Sequence, residues 1–209
     1  MRVNYFLSCL FIILFSCNSF HSIENRTVGI QPYENFSEKM TDSIVQVIRS
    51  VYNLKVAVLP FQKMPQKAFI NQKSPRYRAD SLIQFQKIRQ SDTIDYTLGL
   101  THNDISTTKR DRNGNIKKPL YKYEDWGVMG LAYCPGTSGI VSTFRLQHKN
   151  PKVHLLRVKK IAIHELGHNL GLPHCRNKKC VMTDAVESIA TIDNAELALC
   201  SDCKSKITN

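Results

Sequence analysis

The chain has 209 residues and a formal charge of +12, because 29 Lys and Arg outnumber 17 Asp and Glu. Apolar residues make up 42% and charged residues 22% of the chain, which has only 9 Gly and 8 Pro. These values are typical of one globular domain with a short extension, and they exclude a disordered tail, a collagen-like fibre, a low-complexity linker and a polytopic membrane protein. The basic excess favours anionic partners or surfaces but does not indicate a fold.

The N-terminus resembles an export signal. Arg2 precedes an almost continuous apolar run over Tyr5–Phe15, which is too short to cross a bilayer as a helix but has the length of a signal-peptide core. The run ends in LFSC, which is similar to a bacterial lipobox and would make Cys17 the lipid-bearing N-terminus. We therefore expect residues 1–16 to be a signal peptide and the mature protein to be a membrane-anchored periplasmic or surface lipoprotein. Secretion without a lipid and a buried core helix are the alternatives.

Helices and strands are predicted to alternate after this signal. Residues 17–35 are polar and are expected to be a tether that leads into a domain over residues 36–209. Apolar residues at helical spacing predict two helices, and runs of β-branched and apolar residues predict two strands. In chain order these are a helix over Ser37–Tyr52, a strand over Lys55–Phe61, a helix over Tyr77–Arg89 and a strand over Thr93–Leu100.

A basic loop follows over Thr107–Lys118, with five Lys or Arg and a turn signal at Asn113-Gly114. A nucleic-acid or anionic-membrane patch is one interpretation of this charge. A solvated loop is favoured, because the segment lacks the interleaved aromatic residues of a single-strand binding platform. No nucleic acid is therefore expected as a partner.

The longest predicted helix comes late in the chain. Asn150 can cap it, Pro151 suits its first turn, and Gly171 can end it. Two strands are predicted before it, over Trp126–Tyr133 and Gly139–Leu146, and a short helix after it, over Asn194–Ile207. This alternation predicts a mixed α/β layer structure with a mixed twisted sheet.

The string HELGHNLGLPH at residues 164–174 carries the chemistry. His164 and His168 are one helical turn apart and share a face, so both imidazoles can bind one metal ion. Gly171 permits a sharp exit from the helix, so His174 can approach from another direction as a third ligand. Three nitrogens leave one position of a tetrahedral zinc ion open for water, and Glu165 can take the proton of that water.

This HExxHxxGxxH pattern is the metzincin signature, which includes a Met-turn downstream. Met182 is eight residues after His174 and could supply that methionine. A satisfied core His and a packing Met are the bland interpretations of the single residues. The joint pattern favours a catalytic zinc site, and a degenerate site without activity is the alternative.

The spacing of four cysteines indicates one particular family among the metzincins. After His174 the spacing is HC-x4-C-x-M-x17-C-x2-C, with Cys175, Cys180, Cys200 and Cys203 at the fixed positions. At this point the chain resembles the archaemetzincins, a small metzincin family. The resemblance extends upstream over roughly residues 50–209, through four short segments at Tyr77–Asp80, Leu98–Thr101, Gly130–Ala132 and Ser142–Leu146.

The resemblance implies a metzincin-like zincin fold, with an active-site helix and a C-terminal helical subdomain that holds a zinc ion on four cysteines. It implies two zinc ions per chain, one catalytic on the three histidines and one structural on the four cysteines. Two disulfides are the alternative for these cysteines, because an exported protein meets oxidising conditions. Cys134 lies outside the pattern and receives no role.

A zinc-dependent metallopeptidase that acts as a monomer on peptides or small proteins is the expected function. A catalytically inactive zincin-fold scaffold at a membrane surface is the alternative. By analogy with metzincins, Gly139–Leu146 is expected to be the exposed sheet edge that binds substrate. Tyr121, Tyr123 and Tyr133 are candidates for stabilising an oxyanion, as are zinc alone and the edge-strand backbone.

Overall fold

The computed structural model describes residues 25–184 and 188–208. The predicted signal peptide and Cys17 lie outside these residues. Within the described part of the chain, no helix is both long enough and apolar enough to cross a membrane.

Strands and helices alternate along the described residues, and the predicted mixed α/β architecture is confirmed. In chain order the strands are β1 (Thr27–Pro32), β2 (Lys55–Val58), β3 (Phe69–Asn71), β4 (Pro75–Arg78), β5 (Tyr96–Thr101), β6 (Ile105–Thr107), β7 (Trp126–Val128), β8 (Gly130–Ala132) and β9 (Ser138–Ser142). The helices are α1 (Glu38–Tyr52), α2 (Ala79–Arg89), α3 (Leu120–Tyr123), α4 (Pro151–Asn169), α5 (Ile189–Asn194) and α6 (Ser201–Thr208).

The main sheet has five strands in the order β2-β1-β5-β9-β8. Four of them are parallel, and only β8 runs antiparallel to its neighbour β9. A second sheet has the order β3-β4-β6-β7. The predicted strand over Trp126–Tyr133 is in fact two strands, because the chain passes from the second sheet (β7) into the main sheet (β8) at Met129.

The prediction of a tether is wrong for Thr27–Pro32, which form the strand β1. Residues 17–35 are predicted to be a solvated extension, but Thr27–Pro32 form a strand between β2 and β5 in the main sheet. Val28 and Ile30 are completely buried there. The strand is short and contains Gly29 and Gln31, so its sequence lacks the apolar run that marked the other parallel strands.

The predicted helix termini agree with local hydrogen bonds at α1 and α4. The Ser37 hydroxyl accepts from the backbone N–H of Met40 at the start of α1, and the Asn150 side chain accepts from the N–H of Lys152 at the start of α4. Both helices contribute to the main core, where α1 packs against α4. α2 contributes to a second buried cluster with Ile105 and Ile140.

Several predicted boundaries move, among them those of β2, which ends at Val58 instead of Phe61, and of β5, which begins at Tyr96 instead of Thr93. The helix expected from Tyr77 begins at Ala79, because Pro75–Arg78 pair as β4. The strand expected over Gly139–Leu146 ends at Ser142 and is followed by a 3₁₀ turn over Phe144–Leu146. The C-terminal helix begins at Ser201 instead of Asn194.

The substrate edge expected over Gly139–Leu146 is wrong. β9 lies between β5 and β8, so both of its edges are paired, and β8 is the edge strand of the main sheet. A short antiparallel strand after the crossover from the second sheet is not visible in the sequence pattern, because Gly130–Ala132 is too short to show alternation.

Candidate active site and metal centres

The end of α4 is shaped by a left-handed glycine. Gly171 has φ +90°, its N–H donates to the carbonyl of His168 at 2.9 Å, and the N–H of Leu172 donates to the carbonyl of Gly167 at 2.9 Å. These two bonds form a Schellman motif that stops the helix and turns the chain sharply. The turn brings the carbonyl of Leu172 to Nδ1 of His168 at 2.8 Å.

Backbone carbonyls fix the tautomers of the first two histidines. Nδ1 of His164 lies 2.8 Å from the carbonyl oxygen of Val181, and Nδ1 of His168 contacts that of Leu172 in the same way. A carbonyl can only accept, so each neutral ring carries its proton on Nδ1 and presents the lone pair of Nε2. Burial lowers the pKa of His164 to about 3, which keeps this ring neutral.

The two Nε2 lone pairs face each other at 3.0 Å. Two acceptors at this distance repel each other unless a cation lies between them, and the edge of a tetrahedral zinc site with Zn–N bonds of about 2.0–2.1 Å is about 3.3 Å. His174 supplies a nitrogen, so that the ligand atoms of all three histidines lie within 4.8 Å of one another. The histidines that the sequence predicts as ligands are thus brought together in a geometry that fits a zinc ion.

Glu165 lies in the same cleft and is almost completely buried. Only 7% of the residue is exposed, and this desolvation raises the pKa of its carboxyl to about 8. The carboxyl packs against β8, where a Cβ on Gly130 would lie 2.6 Å from Oε1 of Glu165. Glycine at position 130 therefore allows the edge strand and this carboxyl to approach each other.

The four late cysteines form a second cluster. Their Sγ atoms all lie within 4.8 Å of one another, and the Cys175–Cys200 and Cys180–Cys203 pairs are each separated by 3.7 Å. A disulfide needs about 2.05 Å, whereas a tetrahedron with Zn–S bonds of about 2.3 Å has edges of about 3.8 Å. The sulfur positions therefore fit a closed tetrahedral zinc site, and all four cysteines are free thiols.

One short segment joins the two clusters. Cys180 belongs to the sulfur cluster, Val181 accepts from His164, and the fully buried Met182 accepts at its carbonyl from the N–H of Cys175 at 2.8 Å. A Cβ on Gly167 would lie 2.4 Å from Sδ of Met182, so this side chain packs directly under α4. The predicted Met-turn residue therefore lies where it supports the histidine site.

The cleft above the histidines has a volume of ≈ 210 Å³. Its lining comes from the end of β6, β7, β8, α4 and the chain after α4: Thr107, Lys109, Trp126, Val128, Met129, Gly130, Leu131, Ala132, Ile161, His164, Glu165, His168 and His174. The three tyrosines considered for oxyanion stabilisation do not line it. Tyr133 instead donates to Asp80 at 3.2 Å.

Lys109 and Trp126 line the cleft, although nothing in the sequence pattern predicts this position for them. The basic loop was expected to be solvated, and Arg110, Arg112, Lys117 and Lys118 are indeed exposed. Lys109 is half-buried and lines the cleft. No local signal distinguishes it, because only the pairing of Thr107 with Trp126 across β6 and β7 brings it there.

The sequence of this chain is similar to those of one family of known proteins. The profile of peptidase family M54 matches residues 20–209. The archaemetzincin of Haloarcula marismortui is 29% identical over 86% of this chain and 98% of its own length. That of Halobacterium salinarum is 32% identical over 75% of this chain and 85% of its own.

Two solved archaemetzincin structures have a fold similar to that of this chain. The crystal structure of archaemetzincin from Methanopyrus kandleri superposes with a TM-score of 0.72 at 25% identity, covering 88% of this chain and 94% of that one. Archaemetzincin from Archaeoglobus fulgidus, complexed with malonate, superposes with a TM-score of 0.67 at 28% identity, covering 86% and 99%.

Proposed function

The chain belongs to peptidase family M54 and is a zinc-dependent metallopeptidase, and we propose that Glu165 is its proton-transfer group and that His164, His168 and His174 hold its catalytic zinc. The facing Nε2 atoms of His164 and His168, beside the buried Glu165, carry this proposal. The inactive-scaffold alternative is not favoured, since a metal site without turnover would not need a carboxyl buried in the cleft.

Zinc at the three histidines would supply a Lewis acid that lowers the pKa of a bound water to about 7. The Glu165 carboxylate accepts a proton from the attacking water and later delivers that proton to the leaving amine. Burial favours the protonated carboxyl, so Glu165 holds the proton well between these two steps. The carbonyls of Val181 and Leu172 keep both rings oriented throughout.

β8 would hold the substrate as an extended chain along the edge of the main sheet. It is the edge strand of the main sheet, and its three residues line the cleft next to Glu165. An extended peptide can add to such an edge through main-chain hydrogen bonds, which recognise the backbone and not a particular side chain. Peptides or unfolded segments of small proteins are therefore the proposed substrates.

A second zinc ion on Cys175, Cys180, Cys200 and Cys203 is also proposed. The sulfur separations of 3.7 Å support it, and four thiolates leave no open position for water, as is typical of structural zinc. This ion would hold the segment that accepts from His164 and packs under α4.

Export and lipidation at Cys17 are proposed from the N-terminal sequence alone. Mass spectrometry of the native N-terminus tests them: a diacylglyceryl group on Cys17, lost in Cys17→Ala, is the expected result. A mature chain that begins elsewhere without a lipid would leave ordinary secretion, and an intact Met1 would exclude export.

The peptidase proposal is tested with a diverse peptide mixture and zinc-loaded protein, with new termini identified by mass spectrometry. Glu165→Gln keeps the shape of the side chain but cannot take up the proton. We expect abundant new termini from the wild type and only a small residual amount from Glu165→Gln, with equal zinc content in both proteins. Equal cleavage by Glu165→Gln would remove Glu165 from the mechanism.

A further inference from the structure

We propose that the surface formed by residues 110–122, which we call the basic face, docks onto an anionic lipid bilayer beside the catalytic cleft. The proposal is carried by exposed apolar side chains that lie among exposed basic ones. It depends neither on the peptidase activity nor on a lipid at Cys17, because the folded domain itself makes the contact.

Positive charge is concentrated in the basic face. Its thirteen residues include five basic ones and one acidic one, so its formal charge is 5 − 1 = +4. The basic residues, all exposed, are Arg110, Arg112, Lys117, Lys118 and Lys122. None of them takes part in an ion pair with another residue that the structure describes. Their charges are therefore available to the phosphate groups of lipids.

The acidic residue of the basic face is bound by the turn itself. The carboxylate of Asp111 accepts from the backbone N–H groups of Asn113 at 2.9 Å and Asn115 at 3.0 Å. Arg110 pairs with Ile116 across the hairpin that this turn closes. The basic side chains therefore project from a formed hairpin, so its backbone loses little conformational freedom when a partner binds.

A helical turn with exposed apolar side chains follows the hairpin. α3 contains Leu120, Tyr121 and Tyr123, but none of its residues is buried. Leu120 is 54% exposed and Tyr121 is 73% exposed. Apolar groups beside lysines suit the boundary between lipid headgroups and acyl chains, because the apolar group enters the lipid while the ammonium groups remain with the phosphates.

A bilayer fits this combination of side chains better than a nucleic acid does. Both partners offer phosphate groups to lysines. Nucleic acids are bound through stacking on aromatic rings, to which an aliphatic side chain contributes little. Only the bilayer offers an apolar layer that can take up the exposed side chain of Leu120.

The basic face borders the catalytic cleft. Tyr123, the residue that follows the face, packs against Trp126 with ring centroids 5.2 Å apart, and Trp126 lines the cleft. Nζ of Lys73 donates to the carbonyl oxygens of Lys122 and Asp125 at 3.2 Å each, so α3 is tied to the chain just before β7. Docking would therefore hold the cleft close to the lipid surface, where exposed segments of membrane-attached proteins are within reach.

The first test measures quenching of a tryptophan on the basic face by brominated lipids. Tyr121→Trp carries the reporter, and Ile88→Trp is its control at an exposed position of α2. Both are made in the full chain with Cys17→Ala, which prevents lipidation, and the signal of the single native tryptophan, Trp126, is subtracted. The vesicles contain phosphatidylcholine alone or mixed with phosphatidylglycerol, at an ionic strength of about 0.15 M.

We expect quenching at position 121 by the anionic vesicles, little quenching at position 88, and little at position 121 by the neutral vesicles. The comparison isolates the basic face, because contact through the N-terminal apolar run would not bring position 121 to the lipid in preference to position 88. Equal quenching at the two positions, or none at position 121, would overturn the proposal.

The second test measures partition into the same anionic vesicles by lipid titration. Each lysine near an anionic surface contributes about fivefold to binding, so Lys117→Gln/Lys118→Gln should weaken partition by about 25-fold. Lys149→Gln/Lys152→Gln is the matched control, because it removes the same charge from exposed positions on another part of the chain. It should change partition by less than about twofold. Equal effects of the two double variants would show that only net charge matters and would overturn the proposal.

The apolar contribution has its own pair of variants. Leu120→Ser should weaken partition by about fivefold, since about half of a leucine side chain would leave the lipid, whereas Ile88→Ser should have no effect. A protein that binds a single-stranded oligonucleotide through Lys117 and Lys118 but does not bind the anionic vesicles would overturn the bilayer in favour of a nucleic acid.

Discussion

The hydroxyl of Tyr52 in α1 donates to the carbonyl oxygen of Ile163 in α4 at 2.7 Å. Ile163 directly precedes His164, the first histidine of the proposed zinc site. Tyr52 is 4% exposed, and its hydroxyl would lie 2.7 Å from a Cβ on Gly167. The small residue between the two histidines therefore serves packing, since it admits Tyr52 and Met182 to the back of the active-site helix.

Removal of this hydroxyl should destabilise the helix that bears the ligands. Burial raises the pKa of Tyr52 well above its usual range, so the group remains a donor at any working pH. Tyr52→Phe keeps the ring and loses the hydrogen bond, which should lower the free energy of unfolding by about 1 kcal/mol. Urea denaturation of the zinc-loaded protein measures this. Tyr121→Phe, whose parent side chain is 73% exposed, is the control, and equal stability of the two variants would contradict the prediction.

Gly130→Ala should impair catalysis without removing zinc. The new Cβ would lie 2.6 Å from Oε1 of Glu165, a distance that forces the carboxyl or the edge strand to move. Displacement of a proton-transfer group by about 1 Å can cost about 100-fold in rate, so we expect kcat to fall by at least about tenfold. Zinc content by elemental analysis should remain that of the wild type, because the three atoms nearest to the added methyl group all belong to Glu165.

A double variant tells whether this effect passes through Glu165. In a Glu165→Gln background the proton-transfer function is already gone, so Gly130→Ala should reduce the residual rate only slightly. A second tenfold loss in that background would show that the methyl group acts on substrate binding along β8 instead.

The elements with strong local signals could be predicted from sequence. α4 has a cap at Asn150, Pro151 at its start and Gly171 at its end, and each plays its expected part in the structure. The three histidines could be grouped by helical spacing and a glycine exit, whereas the four cysteines were grouped only through the resemblance to the archaemetzincin pattern. The zinc metallopeptidase function followed from these residues.

The features that were missed depend on long-range pairing. β1 is buried only because β2 and β5 flank it, and nothing within Thr27–Pro32 marks that burial. The edge strand could not be chosen correctly without the order of β8 and β9 in the sheet. Lys109 reaches the cleft through the register of β6 with β7, a relationship between residues that sequence periodicity does not show.

Loss of one cluster cysteine should weaken zinc binding at the histidine site. Cys200 is half-buried, so Cys200→Ser opens the sulfur cluster with little change in packing. We expect the zinc content to fall by one ion per chain, and the remaining zinc to be lost at lower chelator concentration, because Val181 and Met182 follow Cys180 directly. Cys134→Ser is the control, since this exposed thiol lies outside the cluster.

The same cysteines distinguish zinc from disulfides. Thiols are counted in the denatured protein, without reductant and with a chelator present. Zinc binding predicts that all four cluster cysteines react, whereas two disulfides would hide them. The latter result would contradict the structural zinc and leave the histidine site unaffected.

An ion pair at the other end of α4 should make stability depend on acid. The guanidinium of Arg157 donates to both carboxylate oxygens of Asp193 at 2.7 Å, and this bond lowers the pKa of Asp193 below its usual value of 3.8. The unfolded chain therefore takes up this proton first as the pH falls, so the stabilisation is complete above about pH 4 and is lost as the pH falls further, through the folded-state pKa. Asp193→Asn should cost at most about 1 kcal/mol at neutral pH, since the Asp193 side chain is 40% exposed.

The acid dependence itself is the sharper readout of this pair. The difference in unfolding free energy between wild type and Asp193→Asn should be constant above about pH 4 and should shrink as the pH falls further in urea titrations. Asp92→Asn, at an exposed position far along the chain, should show no such trend. A difference that is constant with pH would mean that Asp193 stabilises α5 by packing, and that Arg157 is held by its bonds to the carbonyls of Leu146 and Gln147 alone.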